Sequence, residues 1–158
     1  MKKLLITALL FMFIVPCLRA QKKEISQARS YMKSGKNLDK AEQLMVDLLK
    51  DSLNWENPNI HVTLYDAVMK QYEAGNEKLY LGQKYDTAKL FNHARRLFEV
   101  SVRFDSIDAR PDKKGRVRPE YRKEHAEELD GIRPNLYLGG RYFMGKSDFV
   151  HAFDFFDT

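Results

Sequence analysis

Apolar residues recur along most of this chain at intervals of three and four, the period of a helix with one buried face. No run alternates for long enough to predict a strand. In residues 22–34 the spacing sets Ile25, Ala28, Tyr31 and Met32 on one face. The break "SGKN" follows, with Asn37 placed to cap the next helix. There Leu38, Ala41, Leu44, Met45, Leu48 and Leu49 make a wide apolar stripe. The turn formers of "DSLNWENPN" then lead to Asn57 and Pro58, a good opening for a helix because a proline in the first turn forfeits no hydrogen bond. The long helix that follows carries Ile60, Leu64, Val68, Tyr72 and Leu79 in line, flanked by Tyr65 and Met69. Gly75 weakens it without ending it.

A fourth helix is predicted from Tyr85 to Ser106. Its Leu90, Phe91, Ala94, Leu97, Phe98, Val102 and Phe104 cover so much of the circumference that more than one side should be packed. "DARPDKKGRVRP" holds a glycine, two prolines and many charges, and reads as a loop. Pro119 suits the first turn of a fifth helix, and Gly131 and Pro134 interrupt it, with either a new start or a kink at Pro134. The last segment begins near Asp148 and is still apolar on one face at Phe156. The fold class is all-α, in antiparallel hairpins at about 22–50, 59–106 and 119–158, with some unusually long helices.

The first twenty residues have a different layout. Lys2 and Lys3 precede an uncharged, mostly apolar run from Leu4 to Val15, and "LRA" puts the small Ala20 before Gln21. This is the pattern of a secretory signal peptide, and the run is short for a membrane span. Cleavage is expected after Ala20, leaving a helical domain at 21–158 and an exported protein, periplasmic or associated with the outer membrane. An uncleaved anchor is the weaker alternative, and Pro16 ahead of Cys17 disfavours lipid attachment. Cleavage removes Lys2, Lys3 and Arg19, so the formal charge falls from +5 to +2. The only cysteine, Cys17, leaves too, and helix packing alone must hold the exported chain together. The basic balance of the full chain is therefore poor support for a polyanionic partner.

Three loop-to-helix junctions resemble one another: "NLDKAEQLM", "KYDTAKLFN" and "DFVHAFDFF". Each has a bulky residue (Leu38, Tyr85, Phe149) and an alanine three later (Ala41, Ala88, Ala152), followed by large apolar residues. Alanine allows close approach of the paired helix, and the bulky residue can plug the mouth of the pair. Tyrosine stands ten residues before the alanine in two cases, Tyr31 to Ala41 and Tyr142 to Ala152. Such hairpins stack so that each buries its neighbour's face.

"NLYLGGRYFMGKSDFVHAFDFF" resembles a tetratricopeptide repeat (TPR), with Gly139 in the small-residue position, Tyr142 three later, then Phe149, Ala152 and Phe156. The loop between Tyr142 and Ala152 is one residue longer than the family's usual spacing. The alanines also lie 47 and 64 residues apart, unlike the family's regular 34. "KQYEAGNEKLYLGQKYDTA", "PDKKGRVRPEYRKEHAEEL" and the leader together look like the N-terminal part of exported TPR proteins of Gram-negative bacteria. The resemblance implies a TPR-like α-solenoid that binds a protein or peptide along the face formed by the first helix of each pair. It also implies further repeats, so Phe155 and Phe156 are expected to face the interior of a longer protein whose last hairpin is cut short here. Some family members clamp a terminal carboxylate with lysine and asparagine. Around Leu136, Gly140, Phe143 and Met144 this chain is apolar and small, so no clamp residues carry over.

Residues that could carry chemistry are few. His61, His93, His125 and His151 are scattered, and the HExxH helix of zinc hydrolases is missing. Glu128 follows His125 by three, which gives a metal-assisted helical hydrolase as the alternative function, although a catalytic zinc needs three protein ligands. Pairs such as Glu127 with Glu128, or Asp105 with Asp108, are expected by chance among 22 acidic residues. "MGKS" lacks the leading glycine and the strand of a phosphate loop. No catalytic, cofactor-binding or metal residue is assigned, no cofactor is expected, and the chain is read as no enzyme. The local excess of positive charge at Arg110, Lys113, Lys114, Arg116 and Arg118 is the candidate partner-binding surface, for an acidic protein or an anionic lipid surface touched peripherally. Export argues against nucleic acid as the partner.

Overall fold

The structure, a computed structural model, describes residues 21–158. The leader expected at 1–20, with its cleavage after Ala20, lies outside the described residues. Helix α1 runs through 21–34, α2 over Leu38–Leu48, α3 over Pro58–Tyr80 and α4 over Thr87–Asp108. After a loop come α5 at Arg122–Ile132, α6 at Pro134–Gly145 and α7 at Phe149–Asp157. A single 3-10 turn, Ser52–Asn54, lies between α2 and α3, and no strand occurs among the described residues. No described helix is long and apolar enough to cross a membrane.

Most helix starts follow from their sequence. The Asn57 side chain accepts from the Asn59 amide at 3.1 Å, with Pro58 in the first turn where its missing N–H costs nothing. Asp86 accepts from the Ala88 and Lys89 amides at 2.9 and 3.3 Å and starts α4 two residues after Tyr85. Asp148 accepts from the His151 amide. Two expected starts are corrected. Asn37 precedes α2 but makes no side-chain cap: it is in the left-handed conformation, φ 56° and ψ 39°, which asparagine tolerates better than most residues. Pro119 lies outside α5, because the Tyr121 amide is taken by the Asp108 carboxylate at 2.9 Å and the helix begins only at Arg122. At Pro134 a new helix starts without a loop. Arg133 keeps right-handed helical angles, φ −46° and ψ −41°, while proline has no N–H to continue the ladder.

Helices α2 and α3, α3 and α4, and α6 and α7 pack as antiparallel pairs, whereas α6 carries on along α3 in the direction of α5. Gln71 of α3 donates to Glu42 of α2 at 2.6 Å, so the middle of α3 meets the first half of α2. In α3 and α4, His61 stacks on Phe104 at one end, while Tyr85 lies against Gly75 at the other. Between hairpins the order is parallel: Arg29 of α1 reaches Thr63 of α3, Tyr65 of α3 reaches Glu128 of α5, and Asn135 of α6 donates to Tyr72. The outer helices are tied by Arg96 of α4 to Glu42 of α2 at 3.4 Å and by Arg95 of α4 to Asp154 of α7 at 3.3 Å. Helix α3 is therefore the most enclosed. Ile60, Thr63, Ala67 and Val68 are fully buried, together with Tyr65 at 1% exposure.

A second, smaller core joins α4 to the last hairpin through Phe91, Leu136, Phe143, Ala152 and Phe155. Burying a side chain the size of Phe155 contributes roughly 1.5–3 kcal/mol. Gly139 and Gly140 admit it: a Cβ on Gly139 would lie 2.5 Å from the Phe155 ring, and one on Gly140 would overlap Phe156. The junction rule holds in part. Ala41 and Ala152 are buried and Tyr85 fills the space over Gly75, but Ala88 is only partly covered. Phe149 does not plug its hairpin and stays 66% exposed, Phe156 is 49% exposed, and Val102 of α4 is 74% exposed. The reason is geometric: α7 turns the stripe of Ala152 and Phe155 into the core against α6 and α4, while Phe149 and Phe153 point away from it and Phe156 lies at its edge against Gly140 and Tyr137.

Candidate functional site

Where α1, α3 and α5 lie side by side they leave an open groove of about 540 Å³. Each helix contributes positions three and four apart: Arg29, Met32 and Lys33 from α1, with Asp66, Met69, Lys70 and Glu73 from α3. From α5 and the residue before it come Tyr121, Glu124, His125 and Glu128. Its floor is aromatic. The His125 ring lies on the Tyr65 ring, 3.7 Å between centroids and 19° from parallel, with Phe104 and Tyr121 at 5.5 and 5.8 Å.

The polar groups of the groove have settled charge states. Burial pushes the Tyr65 hydroxyl far up, and its 2.8 Å hydrogen bond to the Glu128 carboxylate pushes it further, so it stays a neutral donor. Burial pushes His125 below the ordinary imidazole range, against the charges of Glu128 and Glu124, so its ring is neutral near pH 7. Asp66 is exposed at the rim, yet the protein around its carboxyl pushes it up first; Arg29 opposes this, and Glu128 and Glu124 add to it. Lys70 is paired with Glu73 at 2.6 Å, an exposed pair of small energetic value. Neutral donors, neutral acceptors and several carboxylates over an aromatic floor are suited to recognition of a polar chain.

His125 and Glu128 do share one face of α5, as their spacing predicts. The His125 ring is stacked on Tyr65 and Glu128 is bonded to the Tyr65 hydroxyl. Among the described residues, no group of three or more His, Cys, Asp or Glu side chains is placed to hold a metal ion. His61 donates its Nε2–H to the Trp55 carbonyl at 2.8 Å, which fixes its ring in the core of α3. His93 has a buried Nε2 with no hydrogen-bond partner.

The basic loop is exposed and ordered by Asp112. Its carboxylate accepts from the amides of Lys114 and Arg116 at 2.7 and 3.0 Å and pairs with the Arg116 guanidinium at 2.7 Å. Arg110 is paired with Glu56 at 2.7 Å. Lys113, Lys114 and Arg118 are left without ion pairs among the described residues, so the free positive charge is smaller than the sequence suggests.

The groove itself was not among the sites expected from sequence. Its signal was present: Asp66, Lys70 and Glu73 form a charged line at helical spacing along α3, opposite its buried face. What no spacing could give was which helices bring their polar lines together. No known protein family, curated protein or solved structure matches the chain.

Proposed function

We propose that this chain is a non-catalytic, TPR-like scaffold of the cell envelope that holds a protein or peptide segment in the groove of α1, α3 and α5. The observation that carries this reading is the order of the helices. Helix α1 lies parallel to α3 and α3 to α5, through Arg29 with Thr63 and Tyr65 with Glu128, and the groove runs across that row. This order supports a solenoid of stacked hairpins, in which shape and side-chain complementarity select a partner. Export follows from the leader reading of residues 1–20. The loop with Lys113, Lys114 and Arg118 is a secondary surface for the same role.

Peptides selected from a random display library on the purified protein test the proposal. Amide chemical shifts of the labelled protein should then move at Lys33, Met69 and Glu124 on peptide addition, with little change at the exposed outer residue Lys40. Selected peptides that shift α2 or α7 and leave the groove untouched would overturn it.

A further inference from the structure

We propose that two copies of this chain associate through the side of the α6–α7 hairpin turned away from α4, with α6 of each copy lying on α7 of the other. On α7 the buried stripe is Ala152 and Phe155, while Phe149, Phe153 and Phe156 share the next face, at spacings of four and three. Phe156 joins that face to α6: its ring lies against Gly140, and its centroid is 6.2 Å from that of Tyr137. Met144 stands two turns after Tyr137 on the same side of α6, and Val150 borders the rings on α7. Helix α4 takes the other side of the hairpin, through Phe91 with Tyr142 and Arg95 with Asp154. The six apolar side chains left outside are 49–74% exposed. None of them belongs to the groove of α1, α3 and α5, so the two readings stand or fall separately.

The area of the face fits a second copy. At about 200 Å² for a whole aromatic side chain, the four rings leave roughly 500 Å² of apolar surface in water before Met144 and Val150 are added. The largest apolar patch of a typical monomer is about 300–600 Å², so this face stands at or beyond that limit. One side of a standard interface is about 800 Å², roughly two-thirds of it apolar in homodimers, and these six side chains supply that area. The charges at its rims fit as well. Arg141 edges the face on α6, its guanidinium 5.9 Å from the Tyr137 ring, and Asp157 edges it on α7. Neither has an ion pair among the described residues, whereas Asp148 is taken by His151 and Asp154 by Arg95. A two-fold axis along the hairpin lays α6 on the other copy's α7, so the positive rim meets the negative rim twice. A cation there also suits the negative, C-terminal end of α7.

Sedimentation velocity of the purified protein from about 1 to 200 µM should show a reversible monomer–dimer equilibrium. Phe149→Ser with Phe153→Ser should weaken it at least about a hundredfold, because each ring counts twice across the axis, and should leave the urea midpoint of the dilute protein in place. Arg141→Glu and Asp157→Arg should each weaken it about tenfold alone. Mixing those two variants should restore association, since in the mixed pair both rims are again opposite in sign, a rescue that damage to the fold does not produce. A monomer at the highest concentration overturns the proposal, as does growth beyond the dimer or a dimer indifferent to the serine substitutions. Failure of the mixture to associate better than either variant alone overturns the two-fold arrangement of α6 on α7. A monomer that floats with phosphatidylglycerol vesicles, and no longer does so with both serines, assigns the face to a lipid surface instead.

Discussion

Single residues decide much of how this chain packs, and the two adjacent glycines of α6 separate two effects. Alanine normally favours a helix over glycine by about 1 kcal/mol. At Gly139 the new Cβ meets Phe155, which is 2% exposed and stacked on Phe143, so the ring cannot give way. Gly139→Ala should therefore destabilise by about 1–3 kcal/mol in urea unfolding. At Gly140 the obstacle is Phe156, half in solvent and free to swing aside, so Gly140→Ala should cost far less. Equal losses would contradict this packing. Histidines set the acid side. His61, His93 and His125 are all held below the ordinary imidazole range, in each case chiefly by burial. The unfolded chain then binds protons first as pH falls. Their stabilising contribution is full above about pH 6.5 and is lost as pH drops through the folded values. Asp66, raised in the folded state, works the other way at lower pH, one group against three. The urea midpoint should fall between pH 7.5 and pH 5, and a flat profile would refute the assignment. His93→Leu should shallow that dependence and, by removing a buried nitrogen with no partner, be neutral or stabilising by up to about 1 kcal/mol at pH 7.5.

Elements begin where the sequence supplies an acceptor. Asp86 holds two amides of α4, and Asp86→Ala should lower stability by about 1 kcal/mol, whereas Asn37→Ala removes no cap bond. Any Asn37→Ala loss, about 1 kcal/mol, instead comes from holding alanine in the left-handed backbone. Asn37→Gly should therefore be neutral or stabilising in the same urea titration, and an Asn37→Gly loss as large as that of Asp86→Ala would contradict this. Apolar spacing made the helices and most of their buried faces legible, because period alone reveals them. It misplaced the ends of α4 and α5 by two or three residues, since proline at a helix start is only a preference and the Asp108–Tyr121 bond spans 13 residues. It also overestimated burial in α7. Phe149, Phe153 and Phe155 are alike as residues, and only the position of α6 and α4 makes Phe155 core and leaves the others outside. Phe149→Ser and Phe153→Ser should thus change stability by less than about 0.5 kcal/mol, and Phe155→Ser by about 3–5 kcal/mol.

At the scale of the whole molecule, three parallel helices with a second set behind them turn separate polar lines into one groove. Each line could be read from sequence as an exposed helix face; their convergence could not, because it depends on contacts such as Tyr65 with Glu128, 63 positions apart. The basic loop shows the reverse case. It stood out in the sequence, but Asp112 and Glu56 neutralise two of its five charges. The proposed binding role therefore rests on the groove. It is tested by placing a photo-crosslinking amino acid at Lys33, inside the groove, at Lys40 on α2 and at Phe153 on α7, and adding an affinity-selected peptide. Cross-linking at position 33, suppressed by Glu124→Lys and weak at 40 and 153, is the result predicted. Cross-linking as strong at 40 or 153 as at 33 would contradict it.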